Sequence, residues 1–393
     1  MEREVVLAGA CRTAIGRMGG SLSEIPAASL GAIVIKEALS RAKVPAEEVD
    51  QVYMGCVLQA GLGQNPARQA AIRAGLPVEV PAVTLNAVCG SGLHSVNLAA
   101  SLIRAGDADI VVAGGMENMS LAPYLINKAR YGYRMGNDIL VDSMVQDALW
   151  DAFHDYHMGI TGENIADRWN LSREELDEFS LQSQRKAIEA QRKGIFTEEI
   201  VPVEVNRKKE SYIFSADENP RADVTMERLG RLKPAFMQNG VITAANSSSI
   251  NDGAAAIVVM SAEKARELGV IPMAYWSAGA LAGVAPEIMG IGPVAATRKA
   301  MKKTGIRAED IELAEVNEAF AAQAIAVAKE LSLNTEALNV NGGAIALGHP
   351  VGASGCRILV TLLHEMGRRN ASRGLAALCI GGGMGCAAIV ERK

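Results

Sequence analysis

Short apolar runs rich in valine, isoleucine and small residues recur along the chain: EVVLAGA (4–10), DIVVAGG (109–115), AAAIVVM (254–260) and LAALCIGGG (375–383). With no polar alternation they predict strands buried on both faces. Between them, apolar residues fall three and four apart in AASLGAIVIKEALSRA (27–42) and GLHSVNLAASLIRAG (92–106), the latter closed by Gly106. That spacing predicts helices packed on the strands, and the alternation predicts an α/β fold with a mostly buried sheet.

The pattern repeats. Ala42–Val52 resembles Thr304–Ala314, with Val44 opposite Ile306 and Glu47 opposite Glu309, and Gly90 matches Gly352 at the same displacement. AGGMENM (113–119) and GGGMGCA (381–387) give a third match with a few extra residues in the second copy. The chain is therefore expected to hold two related α/β halves, with the CGSG loop at Cys89 equivalent to the GHPVGASG loop at His349. Residues 120–240 break the pattern with charge, aromatic residues and a long amphipathic stretch, SREELDEFSLQSQRKAIEAQRKG (172–194). They read as an insertion, partly helical, serving as lid or binding platform. The expected division is 1–119 with 241–269 as the first half, 120–240 as the insertion, and 270–393 as the second half.

Composition narrows the partners. A net charge of −5 over 393 residues leaves no basic surface for nucleic acid or anionic membrane. No apolar run nears the roughly 20 residues that cross a bilayer. A cytoplasmic enzyme is the expectation. The six cysteines, scattered and without a C-x-x-C pair, argue against a disulfide framework and against structural zinc; no metal site is expected. No G-x-G-x-x-G opens a helix after the first strand, which speaks against a dinucleotide.

Cys89 stands between a strand-like run and the start of a helix, where free N–H groups favour a thiolate. It reads as a nucleophile or as a small buried hydrophobe, and the segment alone does not choose. Gly90 and Gly92 would leave room for an acyl group to approach it. A thiol nucleophile needs a base. His349, held in a loop by Pro350, is the best candidate of five histidines; His94 and His364 lie within helices, and His154 and His157 are pocket or lid candidates. Cys379 ends an apolar strand beside Gly381–Gly383, whose N–H groups could meet an oxyanion, or it is a strand cysteine in the core. Asn317 sits at a strand-to-helix turn, where helix capping is the plain reading.

Taken together, NAVCGSG (86–92), GGMENMS (114–120), NEAFAAQ (317–323), NVNGGAIALGHPVGASG (339–355) and CIGGGMG (379–385) strongly resemble the thiolase family, and the likeness runs nearly end to end. Within it the chain looks most like the biosynthetic acetyl-CoA acetyltransferase branch, partly through YHMGITGENIA (156–166); the degradative 3-ketoacyl-CoA branch and a silent acyl-CoA-binding relative are the alternatives. The resemblance implies an α-β-α-β-α layered fold and a reversible condensation of two acetyl-CoA to acetoacetyl-CoA and CoA. It implies roles: Cys89 as nucleophile, His349 as its base, Asn317 holding a water at one oxyanion site, Cys379 as the acid/base at the α-carbon, and the N–H groups of Cys89 and Gly381 as a second oxyanion site. It places coenzyme A along the insertion, with Ser248 near the pantetheine, Arg221 near the nucleotide end, and Leu149, His157, Met158, Phe236, Ala244, Met289 and Phe320 lining the channel. It implies no cofactor, since coenzyme A thioesters are substrates, and a homotetramer (a dimer of dimers) formed through the segment around YRMGN (133–137). Ala245, Ser247 and Ser249 depart from the family's usual residues beside Ser248, as do His94 and Met384 at their positions.

Overall fold

The computed structural model describes residues 3–207 and 210–393. Nine strands make the main path of one mixed sheet: β1 (Val5–Thr13), β2 (Gln51–Gly55), β3 (Ala82–Leu85), β4 (Ile110–Asn118), β5 (Asn251–Ser261), β6 (Ala274–Gly283), β7 (Leu313–Val316), β8 (Arg373–Ile380) and β9 (Met384–Glu391). Their spatial order is β7-β8-β9-β6-β1-β5-β4-β2-β3. The four apolar runs are β1, β4, β5 and β8, fully or almost fully buried.

The order contains the repeat. From the centre outward, β1-β5-β4-β2 in one half and β6-β9-β8-β7 in the other follow the same plan: two antiparallel pairings, then a parallel one. The halves join where β1 pairs antiparallel with β6, Val6 opposite Tyr275 and Leu7 opposite Ala274. Two of the three sequence matches coincide in space. The matched segments form short 3-10 turns, Ala46–Glu48 and Ala308–Asp310, each leading into a strand, β2 or β7. The glycine pair opens equivalent helices. The third match does not hold: AGGMENM forms the second half of β4 with Met119 just past its end, whereas GGGMGCA begins in the turn between β8 and β9. Glycine-rich composition alone produced it.

Helices form three layers around the two half-sheets. α1 (Ala27–Ala42) covers the outer face of the first half, and α2 (Ser91–Ala105) ends on Gly106 in the left-handed conformation as its sequence predicts. The insertion supplies α3 (Met158–Arg168) and α4 (Arg173–Arg192), the latter started by a Ser172/Glu175 capping box. α5 (Gly292–Thr304) covers the outer face of the second half, α6 (Ala321–Leu331) lies beyond it, and α7 (Val351–Arg369) packs with α2 between the half-sheets. Side-chain parity assigns each strand to two layers: Val6 and Ala8 of β1 join the outer core with α1, while Val5 and Leu7 join the middle core with α2 and α7. In the same way Ala376 and Leu378 of β8 face the middle core and Leu375 and Ala377 the outer core of the second half. The α-β-α-β-α arrangement is thus written into alternate positions.

The middle layer is tight because it is built on glycine. A Cβ on Gly92 would sit 2.8 Å from the Cys356 amide nitrogen, and one on Gly355 would sit 2.5 Å from that of Leu93. A Cβ on Gly115 of β4 would overlap the Gly352 carbonyl oxygen, and one on Gly90 would overlap Ile380. Gly92, Gly115 and Gly355 therefore bring backbones together and Gly90 makes room for the Ile380 side chain; they do not open a path for an acyl group, the role expected of Gly90 and Gly92. Gly115→Ala is expected to cost about 1–3 kcal/mol in denaturant unfolding, the usual penalty of an overpacked core. Gly367→Ala, on α7 where a Cβ meets nothing, is expected to gain up to about 1 kcal/mol by helix propensity; equal effects at both positions would refute the backbone-contact reading.

Candidate active site

The paired helices set the site. Both α2 and α7 begin in the middle layer, and the loops before them carry Cys89 and His349. Val88 holds φ at +45°, a left-handed conformation that a β-branched residue rarely adopts. Local bonds hold it there: its N–H donates to Asn86 Oδ1 at 2.9 Å, and its carbonyl accepts the Ser91 hydroxyl at 2.6 Å. The sharp turn presents Cys89 at the mouth of α2. On the other side, the His349 N–H donates to Asn251 Oδ1 at 2.9 Å, fixing that loop to the start of β5.

A cavity of about 680 Å³ opens between these loops and the insertion, and Cys89, His349 and Gly381 all line it. So do Leu149, His157, Met158, Arg221, Phe236, Ala244, Ser248, Met289 and Phe320. Asn317 and Cys379 do not reach its wall. Asn317 is buried with its amide nitrogen 3.4 Å from His349 Nδ1. Cys379 is wholly buried, close enough to Cys89 for charge on one sulfur to oppose charge on the other. Asn317 is not a helix cap: α6 begins four residues later, with Phe320 before it and no side-chain cap. His154 stays outside the cavity, bonded to Asp151 and stacked on Tyr156. A second cleft of about 660 Å³ between α4 and α6 contains none of the cysteines.

Several lining residues have specific supports. His157 accepts the Gly159 N–H on Nδ1 at 3.0 Å and stacks on Phe236 with ring centres 4.6 Å apart. Phe236 in turn meets Phe320 edge-on at 6.3 Å. The Ser248 N–H donates to Ala319 O at 2.9 Å. The unusual serines beside it are absorbed locally: Ser247 bonds the Thr243 carbonyl at 2.7 Å and Ser249 bonds Asn251 Oδ1 at 2.9 Å.

Electrostatics corrects the expectation that the helix terminus makes Cys89 a resting thiolate. Burial pushes its pKa up to about 11, although the N–H groups of Gly381 and of Cys89 itself bond the sulfur and pull the other way. Burial, then the positive charge of Arg357, pushes His349 down to about 4. The cavity wall at rest therefore carries a thiol and a neutral imidazole able to accept a proton. Burial also holds the Cys379 thiol well above its ordinary value.

Glu117, missed in the sequence, ties the segment after β2 to the first turn of α7. Its carboxylate accepts the N–H groups of Val57, Leu58 and Gly352 at 3.0, 3.1 and 2.9 Å, and burial pushes it up to about 7. It lay inside a quoted motif, but nothing local shows an acidic strand residue turned toward a helix start. Among the described residues no group of three or more His, Cys, Asp or Glu could hold a metal ion.

Comparison with known proteins follows the same lines. Residues 5–263 match the family model described as "Thiolase, N-terminal domain" and residues 270–392 the one described as "Thiolase, C-terminal domain". An acetyl-CoA acetyltransferase of Chromobacterium violaceum is 60% identical over 99% of this chain and 100% of its own length. The crystal structure of the Bacillus anthracis acetyl-CoA acetyltransferase superposes with a TM-score of 0.97 at 43% identity, covering 99% of each chain. That of human mitochondrial 3-ketoacyl-CoA thiolase does so with the same TM-score at 41% identity, covering 100% of this chain and 99% of its own.

Because the Cys89 pKa is raised, its thiolate fraction near pH 7 is about one part in ten thousand. Alkylation of Cys89 by iodoacetamide is expected to rise about tenfold per pH unit from pH 7 to 9 without a plateau. A plateau reached by pH 8 would contradict the buried-thiol description.

Proposed function

The chain belongs to the thiolase family, and from that premise we propose that it is an acetyl-CoA C-acetyltransferase. It joins two acetyl-CoA molecules reversibly into acetoacetyl-CoA and free CoA, through an acetyl group carried on Cys89. The observation that carries the reading is the meeting of Cys89, His349 and Gly381 on one cavity, with Cys379 buried close enough to Cys89 for their charges to oppose each other.

In the first half-reaction the Cys89 sulfur attacks the thioester carbonyl of acetyl-CoA while its proton passes to His349. The two N–H groups that now converge on the sulfur, those of Cys89 and Gly381, reach the oxygen of an acyl group bound there. Expulsion of CoA takes the proton back from the imidazole and leaves acetyl-Cys89. In the second half-reaction the carbonyl of a new acetyl-CoA lies toward His349 and Asn317; Cys379 gives its proton to the neutral imidazole and, as thiolate, takes a proton from the α-carbon. The carbanion attacks acetyl-Cys89, a carbon–carbon bond forms, and the Cys89 sulfur leaves with the proton that the imidazolium returns, so that both thiols and the neutral imidazole are restored. Every electron pair in this scheme comes from a thiol, an imidazole or a substrate, so coenzyme A thioesters are substrates and no resident cofactor is required. Ping-pong kinetics follow.

Arg221, exposed at the cavity's edge, suits the phosphate-bearing end of coenzyme A, with Ser248 deeper along the pantetheine. The stacked His157–Phe236 pair, Phe320 and Met289 crowd the channel and favour a short acyl chain. The shared fold with a 3-ketoacyl-CoA thiolase does not separate the two substrate classes, so the wall of the cavity carries that distinction. The proposal includes a cytoplasmic homotetramer. It is supported by the segment around YRMGN, where Tyr131 and Met135 are more than nine-tenths exposed, an arrangement suited to burial against another copy.

Two experiments test this. With labelled acetyl-CoA, Cys379→Ser is expected to acetylate Cys89 at near the native level while condensation falls at least about 100-fold, and Cys89→Ser is expected to take up no label; equal loss of label in both variants would refute the division of roles. Thiolytic kcat/KM is expected to favour acetoacetyl-CoA over a long-chain 3-ketoacyl-CoA by about tenfold or more. The reverse preference would assign the degradative, broad-chain activity.

A further inference from the structure

His349 can serve Cys89 as a base only if its two ring nitrogens are told apart, since one must carry the hydrogen and the other the free lone pair. We propose that Ser354 is the positioning residue that does this: its hydroxyl oxygen holds the hydrogen on His349 Nδ1 and so leaves Nε2 as the proton acceptor for the Cys89 thiol. The inference rests on the reading of His349 as the base of the thiolase reaction and adds a residue to it.

The argument is a count of hydrogens. Ser354 is fully buried in the first turn of α7, and its Oγ lies 2.6 Å from His349 Nδ1 and 2.8 Å from the Pro350 carbonyl oxygen. The hydroxyl has one hydrogen, and the carbonyl can only accept, so the hydroxyl hydrogen goes to Pro350. The short bond to the ring must then be filled by a hydrogen on Nδ1, with Ser354 Oγ accepting. His349 Nε2 is buried and has no hydrogen-bond partner. The opposite tautomer would put an N–H there without an acceptor, a costly arrangement in a dry interior. A bare nitrogen on a wall shared with a thiol is the cheaper state and the useful one.

Asn317 completes the account. Its amide stands 3.4 Å from Nδ1, and its Oδ1 is buried without a partner. With hydrogen on Nδ1, a half-turn of the amide presents Oδ1 to the ring; its O and N are assigned by hydrogen bonding, not by shape. The backbone keeps the serine in place. The Ser354 N–H donates to Pro350 O at 2.9 Å, and the Gly352 N–H is anchored by Glu117. When Nε2 takes up the Cys89 proton, the Nδ1–H bond to Ser354 persists, so the ring keeps its orientation and the imidazolium can donate to a thioester oxygen.

The test has two arms. In wild-type protein labelled with 15N at histidine, the His349 signal, assigned by its absence in His349→Asn, is expected to show hydrogen on Nδ1 and a bare Nε2 at pH 7. Hydrogen on Nε2 would overturn the proposal. This arm needs no turnover and no Ser354 variant, so it decides the matter even if the thiolase reading failed or a variant did not fold. In the second arm, Ser354→Ala is expected to slow single-turnover acetylation of Cys89 by about 10- to 100-fold, with KM for acetyl-CoA within about twofold and a share of the His349 hydrogen moved to Nε2. Ser354→Thr, which keeps the hydroxyl, is expected to recover most of the rate. Acetylation at the native rate in Ser354→Ala, with the tautomer unchanged, would overturn the proposal, whereas a wild-type protein that never acetylates Cys89 would refute the thiolase reading alone.

Discussion

The close approach of α2 and α7 is the constraint on which the rest of the structure depends. The helices occupy equivalent places in the two halves, and their first turns meet backbone to backbone because Gly92 and Gly355 have no side chain at the contact. Gly115 of β4 lets the Gly352 carbonyl settle against the first half-sheet. Helices normally pack 8–10 Å apart, and small residues at the crossing allow the closest approach. The loops entering the helices must then lie side by side, which brings a cysteine from residue 89 to the wall it shares with a histidine from residue 349. Glu117 ties α7 to the segment after β2, at a cost: even with three backbone N–H groups bound, burial pushes its pKa up to about 7 from 4.5, which disfavours its ionised form relative to the protonated one by roughly 3 kcal/mol more than in water.

Burial also sets the chemistry. A thiol this enclosed does not rest as a thiolate, and an imidazole buried on the same wall does not rest as an imidazolium. In the proposed reaction, charge arises only when a thioester carbonyl is present to receive it, between N–H groups already in position. Cys379, wholly buried, is held protonated by the same effect, and in the proposed reaction its deprotonation has to be coupled to a proton transfer.

Much of this was legible in the chain. The periodicity of 27–42 and 92–106 corresponds to two helices nearly residue for residue, and the four short, valine- and isoleucine-rich apolar runs are strands buried on both faces. The repeat foretold that the Cys89 and His349 loops are equivalent. What local pattern could not carry was the effect of contacts between residues some 260 apart in sequence. Thus Gly90 and Gly92 were assigned to substrate access, when their neighbours are Ile380 and Cys356. The thiolate expected at a helix start is overruled by burial that arises only in the assembled layers. Ser354, five residues from His349, carries no local sign of a role because its partner is chosen by the turn at Pro350.

The central claim is that one buried cavity forms the acyl-enzyme on Cys89 and holds its oxygen with backbone N–H groups. The most direct measurement is a crystal structure of Cys379→Ser protein flash-cooled after exposure to acetyl-CoA. The account requires continuous density from Cys89 Sγ to an acetyl group, with its carbonyl oxygen within about 3 Å of the N–H groups of Cys89 and Gly381. An acetyl group on another residue, or a carbonyl oxygen turned away from both donors, would contradict it.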